Sequence, residues 1–135
     1  MTGPITHSYV WVADLDRALA FYRDTLGFEV REDVAVGEGR RWVTVGHPGQ
    51  PGLRLALVAV ASLEEEAAGH VRALLAAGAV TGGGLLAADC KATHAALVAK
   101  GVTFVEEPHE VPWGIEAVFR DDSGNLWGLV QPSHR

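Results

Sequence analysis

Apolar residues fall along this chain in two rhythms, and the rhythm changes at aspartate or glycine. Ile5–Ala13 carries Val10, Trp11 and Val12, residues that suit a pleated, half-buried surface, and predicts a strand. Asp14 follows as a helix N-cap. Leu15, Ala18, Leu19, Phe21, Tyr22 and Leu26 then recur at helical spacing until Gly27 supplies the stop. Phe28–Val36, Arg41–Val45 and Leu53–Val60 predict three more strands. They are separated by the turn Gly37-Glu38-Gly39 and by the loop His47-Pro48-Gly49-Gln50-Pro51-Gly52. The order is β, α, β, β, β. Ser62 and Glu65 read as a capping box for a helix running to about Ala77. Glu64, Glu65 and Glu66 are a solvated helix start, where the helix dipole favours acids.

The second half repeats the first. Val80–Ala88 predicts a strand, Asp89 a cap, and Ala92, Ala95, Ala96, Leu97 and Val98 a helix that stops at Gly101. Val102–Val105 predicts a strand, and Glu106–Gly114 a proline-bearing loop. Ile115–Arg120 and Asn125–Gln131 are strands around the turn Asp121-Asp122-Ser123-Gly124. Gly52…Leu57-Val58 and Gly124…Leu129-Val130 match at identical spacing. Two unrelated α+β stretches can share turn chemistry. Cap, helix stop and closing strand recurring in order favour an internal repeat. The expected organisation is one domain over residues 1–135, with modules at about 1–61 and 79–133 joined by a helical linker at 62–78.

Composition narrows the class. The chain has 135 residues, 48% of them hydrophobic and 21% charged, which is globular and not disordered. The net charge is −6, and Arg40-Arg41 is the largest basic cluster. Neither nucleic acid nor an anionic membrane surface is expected as a partner. One cysteine, Cys90, excludes an internal disulfide and a cysteine-based zinc motif. It sits just inside a helix start, where a thiol pKa can fall; the blander role is a small structural residue. The N-terminus has no signal-peptide pattern, and apolar runs such as Leu53–Ala61 are far short of a bilayer span. A cytoplasmic location is expected.

Two segments carry a family resemblance. His7-Ser8-Tyr9-Val10-Trp11-Val12-Ala13-Asp14 leads to Ala18-Leu19-Ala20-Phe21-Tyr22-Arg23-Asp24-Thr25-Leu26-Gly27-Phe28. Pro112-Trp113-Gly114 and Phe119-Arg120-Asp121-Asp122-Ser123-Gly124-Asn125-Leu126-Trp127 close the chain. Together they resemble the vicinal oxygen chelate superfamily of glyoxalases, bleomycin-resistance proteins and extradiol dioxygenases. The resemblance implies an α+β fold in which two βαβββ modules form a cup-shaped, barrel-like mixed sheet with helices outside. It also implies four positions that hold a divalent metal in metal-dependent relatives. Here these are His7, Ala56, Gly82 and Gly128, and only His7 carries a donor side chain. A divalent cation needs about three protein ligands.

Alternation along the strands assigns the rest. If His7 faces the cup, so do Tyr9 and Trp11, with Arg54, Ala56 and Val58 on the fourth strand and Glu116 and Val118 on the seventh. Gly82, Gly84, Ala56 and Gly128 would leave space, and Trp42 and Trp113 would stand at the rim. The candidate ligand-binding residues are therefore His7, Tyr9, Trp11, Trp42, Arg54, Trp113 and Glu116. Each has a duller reading. Tyr9 and Trp11 can be ordinary sheet residues, His7 a satisfied core histidine, Arg54 and Glu116 solvated strand residues, and Trp113 a turn anchor. His47, His70, His94, His109 and His134 do not pair at metal spacing, although His109 lies on a loop near Trp113.

The expected function is binding, and possible sequestration, of a small aromatic or amphipathic organic molecule, with no cofactor. The alternative is a divalent-metal-dependent lyase, isomerase or dioxygenase using His7 with Glu116 or another non-standard donor. A third is metal-free chemistry with His7 as general base. Exposed sheet edges and apolar rims predict a homodimer.

Overall fold

The computed structural model describes residues 1–133; His134 lies outside them. Within those residues the architecture is α+β. The chain divides into two compact units, Met1–Ala73 and Leu74–Arg135. The first contains β1 (His7–Val12), α1 (Leu15–Ala20), β2 (Glu29–Ala35), β3 (Arg41–Gly46) and β4 (Arg54–Ala59). α2 (Glu65–Ala76) spans the division. The second contains β5 (Thr81–Leu86), α3 (Cys90–Ala99), β6 (Phe104–Val111), β7 (Gly114–Arg120) and β8 (Leu126–Pro132). No helix among the described residues is long and apolar enough to cross a membrane.

The strands form two open four-stranded sheets, ordered β1-β4-β3-β2 and β5-β8-β7-β6. In each, the first pair is parallel and the other ladders are antiparallel. The sequence repeat is thus a repeat of topology. Its local chemistry repeats too. Asp14 is extended and accepts the amide of Arg17 at 2.9 Å; Asp89 is extended and accepts that of Ala92 at 3.0 Å. Both helices run out into glycines with positive φ, Gly27 at 80° and Gly101 at 91°.

One face of each sheet is core. Val10, Val12, Val43, Val45, Leu55 and Leu57 are buried in the first unit, together with Ala18, Leu19 and Tyr22 that follow Asp14. In the second unit Ala87, Cys90, Ala117 and Leu129 cluster, with Leu85, Phe104 and Ile115 against them. Phe119 is fully buried, 5.6 Å from the Phe104 ring, which in turn meets His94 of α3 at 4.5 Å.

Three local expectations are corrected. The first helix does not continue regularly to Leu26: after Ala20 it widens into a π turn over Phe21–Thr25. That turn carries the fully buried Tyr22, whose ring lies 6.0 Å from Phe28. Ser62 does not cap α2. It sits in a 3-10 turn, Val60–Ser62, and donates its hydroxyl to the Ala59 carbonyl at 2.7 Å. Glu106–Gly114 is not a loop but mostly strand, because β6 extends to Val111. Pro108 is tolerated there because β6 is an edge strand with register shifts on either side of Glu106.

The β7–β8 turn is organised by one carboxylate. Asp121 is 6% exposed. Its Oδ1 accepts the amides of Ser123, Gly124 and Asn125 at 2.9, 2.9 and 2.8 Å. Its Oδ2 accepts the Asn125 side-chain amide at 2.8 Å. Removing the acceptor strands several buried donors at once. Asp121→Ala is expected to lower unfolding free energy by about 2–4 kcal/mol. Urea denaturation followed by circular dichroism checks this, and a change below about 0.5 kcal/mol would contradict it.

Candidate functional site

The face of the first sheet opposite the buried valines and leucines carries the polar and aromatic residues. Register sets their rows. Tyr9 pairs with Ala56, Ala56 with Thr44, and Thr44 with Glu32, so these four lie side by side across the sheet. His7 pairs with Arg54, and Trp11 with Val58. Trp42 pairs with Val34.

A β-bulge puts Glu32 in that row. Val30 pairs with Val45 and Glu32 with Thr44, leaving Arg31 as the extra residue. Its guanidinium bonds Glu29 at 3.2 Å and the carbonyls of His47, Pro51, Leu53 and Gln50 at 2.9, 3.1, 3.3 and 3.4 Å. Arg31 therefore fastens the β3–β4 loop, and Glu32 is left to the sheet face.

Glu32 is the hub of the cluster. Its Oε1 accepts the Trp42 indole N–H at 3.0 Å and the Thr44 hydroxyl at 3.0 Å. Arg54 Nε stands 3.5 Å from the same oxygen. The indole bond, then the hydroxyl bond, hold this carboxyl below the usual carboxylate range; Arg54 and His7 add smaller electrostatic contributions, and desolvation opposes them. His7 meets the Trp42 ring edge-on at 5.6 Å. Its Nε2 is hydrogen-bonded to the Tyr9 hydroxyl at 2.9 Å and its Nδ1 to the Thr6 hydroxyl at 2.9 Å. Tyr9 is 64% exposed, while His7, Trp11 and Trp42 are half-buried.

These residues do not suit a divalent metal. Both nitrogens of His7 are already hydrogen-bonded, and Ala56 has no donor. The nearest carboxylate, Glu32, is engaged by two neutral donors and faced by a guanidinium, whose charge repels a cation. Among the described residues no three His, Cys, Asp or Glu side chains come together as a metal site.

The remaining candidates belong to the second unit. Glu116 pairs with His109 and Val130, and its Oε1 lies 3.8 Å from where a Cβ on Gly128 would stand. Trp113 lies on the β6–β7 turn, 56% exposed. His109 is 3.7 Å from Glu106. Gly82 differs from expectation. Counting back from Asp89 matches it to His7, but a bulge between Thr81 and Gly83 shifts the register. Thr81 pairs with Leu126 as His7 pairs with Arg54, and Gly84 stands opposite Gly128. The position a Cβ would take on Gly82 is filled by the Trp127 indole, so a larger residue there meets a buried ring. Cys90 is buried, 3.6 Å from the Leu129 carbonyl. Its thiol is pushed up, first by burial and then by Asp89 and Glu116, which is the reverse of activation.

The structure thus gathers His7, Tyr9, Trp42 and Arg54 on one sheet face, with Trp11 on the same side of β1. Sequence reasoning missed Glu32 and Thr44. The available signal was an acid inside a strand segment beside two valines, Val30 and Val34. Simple alternation was broken by the bulge at Arg31, so the face of Glu32 was not readable.

Comparison with known proteins agrees with the fold. A family model for the Glyoxalase/Bleomycin resistance protein/Dioxygenase superfamily matches residues 4–129. The protein YurT of Bacillus subtilis (strain 168) is 36% identical over 123 residues, covering 90% of this chain and 94% of YurT. The crystal structure of UcmS2 is similar with a TM-score of 0.90 at 44% identity, over 96% of this chain and 98% of that one. TnmS3, an antibiotic binding protein from Streptomyces sp. CB03234, is similar with a TM-score of 0.78 at 31% identity, over 98% of each chain. A match running through both repeats, on a fold of two β-α-β-β-β sheets, means that this chain belongs to the glyoxalase/bleomycin resistance protein/dioxygenase superfamily.

Proposed function

We propose that this protein binds a small aromatic or amphipathic molecule and sequesters it, without a metal. The decisive feature is the face of the first sheet opposite the buried valines and leucines. Its aromatic side chains stand beside His7, Glu32 and Arg54, and among the described residues no three metal-donor side chains come together. Aromatic walls with a few fixed polar groups suit a planar organic ligand. The antibiotic-binding description of TnmS3 supports the same class of function. The proposal treats residues 1–135 as one domain working in the cytoplasm. It also includes a homodimer: β2 and β6 are edge strands, and Val30, Val34, Val105 and Trp113 are exposed. The proposed ligand contacts of the first unit are His7, Tyr9, Trp11, Trp42 and Arg54; those proposed for the second unit, taken by itself, are Trp113 and Glu116.

Native mass spectrometry of protein purified without a metal-chelating tag, with elemental analysis, tests the proposal. A retained organic molecule and no stoichiometric metal are expected. Stoichiometric metal that His7→Ala removes would replace the binding role with metal-dependent catalysis. Trp11→Ala is expected to weaken a planar aromatic ligand by roughly ten-fold, because about 1.4 kcal/mol is a decade of affinity. Fluorescence titration measures this, and unchanged affinity would count against the assignment of Trp11.

Acid should dissolve the Glu32 cluster late. A carboxyl whose folded pKa is lowered contributes stability above its unfolded pKa and loses it as pH falls through the folded pKa. The Trp42 indole N–H resonance is expected to hold its position from neutral pH to below about 4.3, the ordinary glutamate value, and to move only under it. A midpoint at or above that value would show that Trp42 and Thr44 do not stabilise the ionised form.

A further inference from the structure

We infer that Glu32 is the positioning residue of this face and Arg54 its polar anchor, so that the ligand is a planar aromatic carrying an acceptor oxygen at its edge. This deepens the binding role proposed above and rests on it. Glu32 Oε1 takes donors from Trp42 and Thr44 and faces Arg54 Nε. Two hydrogen bonds and a facing guanidinium leave that oxygen little capacity for a ligand. Its work is internal. The indole N–H bond fixes the plane of Trp42, and the edge-on His7 ring supports it from one side. A ring already held in place loses little freedom when a second ring stacks on it.

Arg54 is held differently. Its one ion pair runs through Nε at 3.5 Å, not through the two-pronged end of the guanidinium. The two terminal amino groups have no partner among the described residues, and the side chain is 43% exposed. A guanidinium presents rigid N–H donors and no acceptor, so what it can take is an oxygen. His7 and Tyr9 spend their polar atoms on each other and on Thr6, which leaves ring surface for the ligand. Glu32 already offsets the charge of Arg54, so the acceptor need not be an anion. A ring ketone and a carboxylate share the required chemistry.

Calorimetric titration of the full chain with three naphthalenes separates these demands. The probes are 2-acetylnaphthalene, 2-naphthoate and 2-ethylnaphthalene, which share one ring system and differ in the edge oxygen. The two oxygen-bearing probes are expected to bind roughly ten-fold more tightly than 2-ethylnaphthalene. Arg54→Ala should abolish that preference and leave 2-ethylnaphthalene within about two-fold. Glu32→Ala should weaken all three and shift the Trp42 indole N–H resonance. Glu32→Gln, whose amide oxygen still accepts, should restore both the resonance and the affinity for 2-ethylnaphthalene. Equal affinity for the three probes, unchanged in Arg54→Ala, overturns the anchor and leaves the binding role standing. An indole resonance unmoved in Glu32→Ala, or moved there and not restored in Glu32→Gln, overturns the positioning role. No binding of any probe to the native chain overturns the inference and the binding role together.

Discussion

The parallel pairing of the first and last strand in each unit is the constraint on which the rest depends. Parallel neighbours cannot be joined by a tight turn. The chain between β1 and β4 must therefore leave the sheet, return and come back alongside, and it does so through α1, β2 and β3. The same route runs from β5 to β8. Once that pairing is made, alternation commits every side chain. Val10 and Val12 go to the core, and His7, Tyr9 and Trp11 go to the other face. His7 then lies beside Arg54, a residue 47 positions away that no local rule connects to it.

Against this regular frame, single extra residues do the aiming. The bulge at Arg31 gives one side chain to the β3–β4 loop and the next to the sheet face. The bulge beside Gly82 turns that glycine toward the Trp127 indole and brings Gly84 opposite Gly128. Each bulge exchanges ladder regularity for the direction of one side chain, the use to which bulges near functional faces are commonly put. The two units therefore share a topology while presenting different chemistry. One face has aromatic rings and an ion pair, and the other has glycines beside a single glutamate.

The polar cluster on the first face also explains how that surface holds together without a shared ion. Ala56 places no charge at the sheet centre. What remains must satisfy itself. Glu32 does this by collecting Trp42, Thr44 and Arg54, and His7 by meeting Tyr9 and Thr6. Hydrogen bonds that hold Trp42 and His7 in place make a rigid aromatic face, and such a face favours ligands that arrive flat.

By itself the sequence determined the repeat, the order of strands and helices, and which residues alternate. Those features are written in short-range chemistry: Asp14 and Asp89 cap the nearest amides, Gly27 and Gly101 end the helices beside them, and Asp121 organises a turn within four residues of itself. The absence of donors at Ala56 and Gly128 was equally legible, because side-chain identity needs no fold. Only the tertiary structure decided that β6 continues through Pro108, since an edge strand can spare a donor that a central strand cannot. It alone placed Glu32, whose face depends on a bulge that alternation cannot foresee. It alone turned Thr81, not Gly82, to the position paired like His7, because register is a property of two strands and is carried by neither one.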